Sequence, residues 1–469
     1  MRYFALASDY DGTLAEEGAV HPDTLRMLER LRDAGRQLLL VTGRLLPDLK
    51  AVFPEYEVFG QIVAENGAVL YNTRTKGETV LCETPPEDFA ATLVQKGVTP
   101  LEVGRVIVST LDIHKQTVLQ TIEELGLELQ IIFNKGSAMV LPSGVNKATG
   151  LHAALKRMGL SVHNTVGVGD AENDHAFLKV CERAVAVANA LPSLKAKADL
   201  VTIGESGKGV SELIRRLLQD DLASVPARDG RDSLVLGNAE ATMPRMPVYG
   251  TNLLVSRTSE GEPTPVIAHL MGQLADAGYQ FLAFDPRGAY QTFENAVVLG
   301  GPKRAPTTDE VLKTLTSTGQ NLVVNLLGIP MQKRPAFFEG LVPRLREVCV
   351  RTGRPHWIIL DEVHHLMPVM QRAIEDGPVR GLTGAILIAM QPDELPSSLL
   401  CSLDTIIATG SKQREALQKF CAACNQPCPP FSEDRAEQGE ALLWSRKEGG
   451  SPMFFRYGPS AAPMPPPSA

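Results

Sequence analysis

Residues Asp9 to Leu14, DYDGTL, follow directly on the apolar stretch Tyr3 to Ala7. The apolar stretch reads as a buried strand, and what comes after it constrains the chain most. Two carboxylates stand two residues apart, so on a continuing strand both side chains point the same way. Gly12 and Thr13 then permit a tight turn that leaves backbone N–H groups beside the acids. Acids with free amides and a hydroxyl suit a divalent cation together with a phosphate.

Three further segments repeat the arrangement. In LLLVTGR, Leu38 to Val41 reads as a buried strand, and Thr42 with Gly43 at its end offers a hydroxyl and an N–H to a phosphate oxygen. In GVNKATGLHAAL, Lys147 opens an amphipathic helix, where its ammonium is placed to neutralise charge on a transferring phosphoryl group. In TVGVGDAENDHAFL, the strand Thr165 to Val168 runs into Gly169 and Asp170, with Asn173 and Asp174 within one helical turn. That supplies further hard oxygen ligands for Mg²⁺. Singly, each segment also reads as something plainer: a solvated Asp-Gly turn, a solvated lysine at a helix start. Together they stand in order at strand C-termini or helix starts, where open α/β sheets place their ligands.

DYDGTL, Thr42, Lys147 and GDAEND resemble the four motifs of the haloacid dehalogenase (HAD) superfamily of Mg²⁺-dependent phosphohydrolases, over residues 1 to about 220. AENGAVLY at Ala64 to Tyr71, with a cap between the second and third motifs, resembles the branch containing sugar-phosphate and sucrose-phosphate phosphatases. The resemblance implies a Rossmann-like α/β core over residues 1–80 and 143–222 and a cap over 81–142. It implies Asp9 as the nucleophile, and Mg²⁺ held by Asp9, the Asp11 backbone carbonyl and Asp170. Phosphate monoesters are dianions, so Asp9 attacks phosphorus only where a cation and directed donors cancel the repulsion. Asp11 is implied as general acid on the leaving alkoxide and then as base for the hydrolytic water. Gly12, Thr42, Gly43 and Lys147 fall to the phosphoryl oxygens, and Asn173 to the loop or a substrate oxygen. Asp174 either orients Lys147 or ligates the metal directly.

Between about Leu81 and Pro142 the pattern reads helix, strand, helix, strand, strand: Pro86 to Gln95, Arg105 to Thr110, Ile113 to Leu125, Leu129 to Phe133 and Ala138 to Leu141. A small α+β unit inserted between two motifs acts as a lid, and its modest length favours a small phosphoester over a phosphoprotein. Arg44, Glu65, Asn66 and Asn134 are candidate substrate contacts, with an ordinary surface role the alternative for each. His114 and His175 have no cysteine or histidine partner nearby and read as structural or solvated.

Length and composition, 469 residues with 44% hydrophobic and 21% charged, give about two or three domains. No apolar run reaches membrane-spanning length, and the chain opens directly into the first strand with no cleavable leader, so a cytoplasmic protein is expected. Seven scattered cysteines fit reduced thiols. A net charge of −8 provides no whole-chain basic footprint for nucleic acid, and the expected partner is a small phosphorylated metabolite.

Helical residues Ser211 to Leu222 close the first part, and Ala223 to Pro247 reads as a linker with a short strand at Ser233 to Leu236. Residues 248–457 read as a second doubly wound α/β domain. Its apolar strands are Asn252 to Val255, Phe281 to Phe284, Leu322 to Leu326, Trp357 to Leu360, Ala385 to Ala389 and Thr405 to Ala408. HWIILDEVHHL sets Asp361 and Glu362 after four apolar residues, the Walker B arrangement. With FDPRGAY and with Gln391 as a sensor, it resembles P-loop ATPases of the DNA-translocase and conjugation-motor type. The phosphate loop departs from G-x-x-x-x-G-K-[ST]: it reads SRTSEGEP, with Ser256 for the first glycine, Glu262 for the lysine and Pro263 for the hydroxyl residue. An acid where triphosphate rests repels it by about 1 to 4 kcal/mol, so this P-loop-like domain is read as a pseudo-ATPase with a regulatory or scaffolding role. Cys421, Cys424 and Cys428 lack a fourth metal ligand and read as packing residues. A hairpin is expected over Ala441 to Tyr457, and the proline-rich residues 458–469 read as disordered.

The function expected is hydrolysis of a small phosphate monoester, such as a sugar phosphate, through an aspartyl-phosphate. Two other readings fit: a phosphomutase on the same scaffold, and a nucleotide- or partner-binding regulator whose carboxylates merely hold metal.

Overall fold

The computed structural model describes residues 1–228, 230, 232–239, 243–257, 265–317, 319–363, 384–430 and 439–458. It divides into two compact units, Met1–Arg231 and Asp232–Ala469. Glu262, Pro263 and residues 459–469 lie outside the described residues.

The first unit is built on an eight-stranded sheet. Six strands run parallel in the order Leu200–Val201, Arg183–Ala186, Thr165–Gly169, Ala5–Ser8, Gln37–Val41, Gln61–Ala64; Val69–Asn72 and Glu78–Val80 extend it antiparallel. The strands are apolar throughout because both faces are covered: Leu6, Leu39, Leu40, Val63, Val166 and Val168 are all fully buried. Helix Pro22–Asp33 places Thr24, Leu28 and Leu31 on its buried face, and Ser206–Asp220 places Val210, Leu213, Ile214 and Leu217 on its own. From Ala5–Ser8 the chain builds outward on one side through Gln37–Val41 and later on the other through Thr165–Gly169. The neighbours of Ser8 are Leu40 and Val168, so three strand C-termini meet at a topological switch point.

The cap carries its own core of Phe89, Leu93, Val98, Val108, Val118, Ile122 and Val140. Its helices are Glu87–Gln95 and Lys115–Glu124, and its four-stranded sheet has the order Leu129–Asn134, Ser137–Pro142, Val108–Leu111, Leu101–Val103. The single strand expected at Arg105 to Thr110 is instead two, Leu101–Val103 and Val108–Leu111, paired through Val103 and Val108. The break comes from outside the cap. The Glu65 carboxylate accepts the N–H groups of Arg105, Val106 and Ile107 at 3.0, 2.8 and 3.0 Å, pulling that segment out of the ladder.

The second unit holds a nine-stranded sheet in the order Val297–Gly300, Leu322–Asn325, Phe281–Asp285, Trp357–Leu360, Gly384–Ala389, Thr251–Ser256, Thr405–Thr409, Glu440–Ser445, Met453–Arg456. The first seven are parallel and the last two antiparallel, which includes the expected C-terminal hairpin. Side chains alternate between two cores: Leu254, Leu282, Ile358 and Leu387 on one face, Leu253, Val255, Phe281, Ile359 and Ile386 on the other. Helix Pro265–Asp276 covers the second face, while Thr308–Thr316, Arg334–Thr352 and Gln413–Ala423 cover the first. Val297–Gly300 is an additional edge strand; it is short, partly exposed and runs into Gly301.

Within the stretch read as a linker, the expected strand near Ser233 has a partner that was not expected. Ser233–Val235 pairs antiparallel with Arg245–Pro247, and Leu234, Leu236, Met246 and Val248 are buried in the second unit's core. Four apolar residues spaced along a Pro- and Arg-rich segment suffice to dock it. Among the described residues no helix is long and apolar enough to cross a membrane.

Candidate active site

Asp9 directly follows the strand Ala5–Ser8, and Asp170 directly follows Thr165–Gly169. Both are buried, as are Lys147 and Asp174. Lys147 stands first in helix Lys147–Met158, whose start is fixed by Asn146 accepting the N–H groups of Ala148 and Thr149. Its ammonium donates to Asp9 Oδ1 at 2.5 Å and to Asp174 Oδ1 at 2.6 Å. The other Asp174 oxygen accepts the N–H groups of Asp170 at 2.8 Å and Ala171 at 2.9 Å. Asp174 thus holds Lys147 with one oxygen and the loop after Asp170 with the other.

Asp9, Asp170 and Asp174 each bring a carboxylate oxygen within 4.8 Å of the others, the one such cluster of three acid, histidine or cysteine side chains among the described residues. Asp170 Oδ1 accepts from the Thr13 hydroxyl at 3.1 Å, and Oδ2 accepts from the Lys135 ammonium at 2.8 Å. Burial, and then the charge of Asp174, push the Asp9 carboxyl up to about 7 against the pull of Lys147. Burial likewise raises Asp170, with Lys135 opposing. Burial works to strip the proton from Lys147, but the charges and hydrogen bonds of Asp174 and Asp9 outweigh it and hold the ammonium. Three buried carboxylates face the one buried ammonium of Lys147 and the half-exposed one of Lys135, and the oxygen donors offered suit a hard divalent cation.

Asp11 does not share a strand face with Asp9, contrary to the sequence expectation. The strand ends at Ser8, and Gly12, at φ +81, turns the chain so that its N–H reaches the Ala15 carbonyl at 3.0 Å. Arg44 grips the Asp11 carboxylate at two points, Nε to Oδ2 and Nη2 to Oδ1, both 2.8 Å, and also donates to Asp48 at 2.5 Å. The Asp11 carbonyl oxygen faces the cluster, where it accepts from Lys135 at 2.8 Å. At Gly12 a Cβ would lie 2.5 Å from Asp170 Oδ2 and 2.8 Å from Lys135 Nζ. Gly12→Ala is therefore expected to destabilise the first unit by about 1 to 3 kcal/mol and to lower turnover. Thermal unfolding with a phosphate-release assay checks both.

Thr42 is fully buried at the end of Gln37–Val41, with its hydroxyl accepting the Arg44 N–H at 3.1 Å. Asn173 donates to Asn66 Oδ1 at 3.1 Å, which ties the loop after Asp170 to the loop after Gln61–Ala64. Glu65 is no substrate contact: it is buried and spends its carboxylate on the three cap amides. Arg44 and Asn134 line a cavity of about 450 Å³ together with Asp9, Asp11, Gly43 and Lys135. His114 contacts the Thr99 carbonyl and His175 the Ser193 hydroxyl, both outside the site. Lys135 is the site residue that the sequence reading passes over. Asn134, Lys135 and Gly136 read only as a hairpin turn between two strands, and nothing local says that the lysine reaches Asp11.

A strand-terminal acid clasped by a buried lysine, on a Rossmann-like sheet with a cap, defines the class. The family model for haloacid dehalogenase-like hydrolases matches residues 6–99 and 95–214. The phosphoglycolate phosphatase of Methanothermobacter thermautotrophicus is 31% identical over 225 residues, 46% of this chain and 98% of that protein. Phosphoglycolate phosphatase 2 of Saccharolobus solfataricus is 30% identical over 220 residues, 45% of this chain and 91% of that protein. The chain thus belongs to the haloacid dehalogenase-like hydrolase family, and its N-terminal half is a phosphatase. A solved haloacid dehalogenase-like hydrolase from Bacteroides thetaiotaomicron is also similar, at 21% identity and TM-score 0.39 over 46% of this chain and 99% of that one.

Proposed function

We propose that the first unit is a Mg²⁺-dependent phosphatase for a small anionic phosphate monoester of the 2-phosphoglycolate kind, acting through an aspartyl-phosphate on Asp9. The observation that carries this reading is the buried set Asp9, Lys147, Asp174 and Asp170, with one acid exposed to a cavity of about 450 Å³. The similarity to phosphoglycolate phosphatases over nearly their whole length supports the substrate class.

Asp9, the Asp11 carbonyl and Asp170 would hold Mg²⁺, which when bound supplies positive charge to the phosphoryl oxygens. Asp9 attacks phosphorus while Lys147, kept charged by Asp174, faces the developing charge. Thr42 and the N–H group of Gly43 bind the other phosphoryl oxygens; the Gly12 N–H, expected from the sequence to do the same, is instead taken by the Ala15 carbonyl in the turn. Asp11, steered by Arg44, gives its proton to the leaving oxygen and then takes one from water. The decisive experiment screens the protein with Mg²⁺ against glycolate, sugar and nucleotide monophosphates, with Asp9→Asn as control. Turnover of nucleotides alone would overturn the substrate class, and a transfer product in place of free phosphate would mark a phosphomutase.

The raised Asp9 carboxyl has a measurable consequence. A divalent cation favours the ionised acid, so Mg²⁺ binding at pH 6.5 is expected to release protons and to tighten as pH rises through about 7. Calorimetry in buffers of different ionisation enthalpy reads the proton count.

For the second unit we propose a P-loop-like fold that no longer hydrolyses nucleotide. The strand carrying Asp361 lies one strand away from that ending in Ser256, and the strand between them runs to Gln391. Arg257 Nη2 sits 3.3 Å from Glu362 Oε1 and 3.6 Å from Asp361 Oδ1, and Arg287 Nε sits 3.0 Å from Glu362. Permanent cations thus neutralise the acids that would otherwise direct a metal and a water. ATP titration of the Asp9→Asn chain tests this: steady ATP hydrolysis would overturn it. None of the seven cysteines is joined in a disulfide, which supports a reducing, cytoplasmic setting.

A further inference from the structure

Lys135 lies at the tip of the cap hairpin, between Leu129–Asn134 and Ser137–Pro142, with its backbone in the left-handed region at φ +46. Its side chain crosses from cap to core. The ammonium is 2.8 Å from the Asp11 carbonyl and 2.8 Å from Asp170 Oδ2, two of the three oxygens assigned above to the cation. A divalent magnesium ion needs such oxygens at about 2.1 Å, in the space the ammonium fills. The two cations exclude one another.

We propose that Lys135 is an exchangeable counter-charge with two seats, and that its second seat makes it the residue selecting a carboxylated substrate. The proposal rests on the phosphatase reading of this site. In the first seat the ammonium neutralises Asp170 and draws the hairpin onto the core. The charges argue for the exchange. Lys147 balances one of the three buried carboxylates, leaving two negative charges that Lys135 halves and a divalent ion cancels. Once they are cancelled, nothing acidic in the cluster still holds the lysine.

The freed ammonium has a place to go. Its side chain is 45% exposed on a flexible four-carbon stem, and it lines the cavity beside Asn134. Asn134 Oδ1 is buried with no hydrogen-bond partner among the described residues, so the hairpin presents a second polar group there. Arg44, the other cation of the wall, is already committed to Asp11 and Asp48. Lys135 is thus the cation left to pair with a carboxylate on the leaving group.

Three measurements on the full chain test this. In calorimetry with Mg²⁺ alone, Lys135→Met is expected to tighten binding about tenfold, because a seat held nine-tenths of the time weakens a competitor by that factor. Lys115→Gln removes the same charge elsewhere on the cap and is expected to change affinity by less than about twofold. Acylation of Lys135 by an amine reagent, read by peptide mass, is expected to speed up severalfold when Mg²⁺ saturates the wild type. At saturating Mg²⁺, Lys135→Met is expected to raise KM for 2-phosphoglycolate about tenfold or more but to leave KM for phenyl phosphate nearly unchanged. Unchanged Mg²⁺ affinity, or labelling indifferent to Mg²⁺, overturns the first seat; an equal KM shift for both substrates overturns the second. If the wild type hydrolyses neither ester, the phosphatase reading fails, and the second seat with it, while the Mg²⁺ and labelling results still judge the first.

Discussion

Asp9→Asn is expected to lower phosphate release by on the order of 10⁴-fold or more while the protein stays folded. Asparagine keeps the size and the oxygen that accepts from Lys147, but it cannot bond to phosphorus and leave again as a carboxylate. The fold has reason to tolerate the change. In the folded chain the Asp9 carboxyl sits at about 7 against an ordinary 3.8, so its ionised form is disfavoured by burial and by the neighbouring acids. The sign follows from linkage: stability contributed by the protonated acid is complete below about pH 4 and lost as pH rises through about 7. Without divalent ion, the wild type should therefore lose stability across that window, and Asp9→Asn should lose less of it. Circular dichroism melts at pH 5 and pH 8 alongside a phosphate assay read both effects. Appreciable residual turnover would move the nucleophile elsewhere.

Lys147→Ala is expected to be nearly as severe, by two separable routes. In rate it should cost on the order of 10² to 10³, the usual loss when a fixed charge facing the transition state is removed. In stability it strands the Asp9 and Asp174 carboxylates, both buried, with no cation at 2.5 and 2.6 Å. Breaking a buried pair from one side costs about 3 to 5 kcal/mol. Denaturant titration measures the second effect, and single-turnover kinetics of the folded fraction measures the first. A stable, fully active variant would show that the ammonium does neither job.

Much of this site could be read from the chain, for a plain physical reason. Asp9, Thr42 and Asp170 each follow a short run of residues buried on both faces, so apolar patterning locates the strand and the sheet brings its end to the switch point. The amphipathic pattern running from Lys147 likewise placed it at a helix start. The failures are long-range or conformational. A left-handed glycine turned Asp11 toward Arg44, which spacing alone does not disclose. Lys135 reaches a partner 124 residues earlier, and Glu65 binds amides 40 to 42 residues later. In the second unit the central strands were legible because both faces are covered, whereas Val297–Gly300 escaped because an exposed edge carries no such pattern.

Glu65 has a consequence beyond holding the cap. Its own N–H bonds the Arg44 carbonyl and the next residue's N–H bonds the Thr42 carbonyl, both at 3.0 Å, while its carboxylate grips Arg105, Val106 and Ile107. One side chain is thus the fulcrum between the lid and the strand end beneath it. The segment that breaks the cap's ladder and the two peptide units flanking Thr42 and Arg44 therefore hang on the same residue, so a change at Glu65 would be felt in the lid and in the strand end at once.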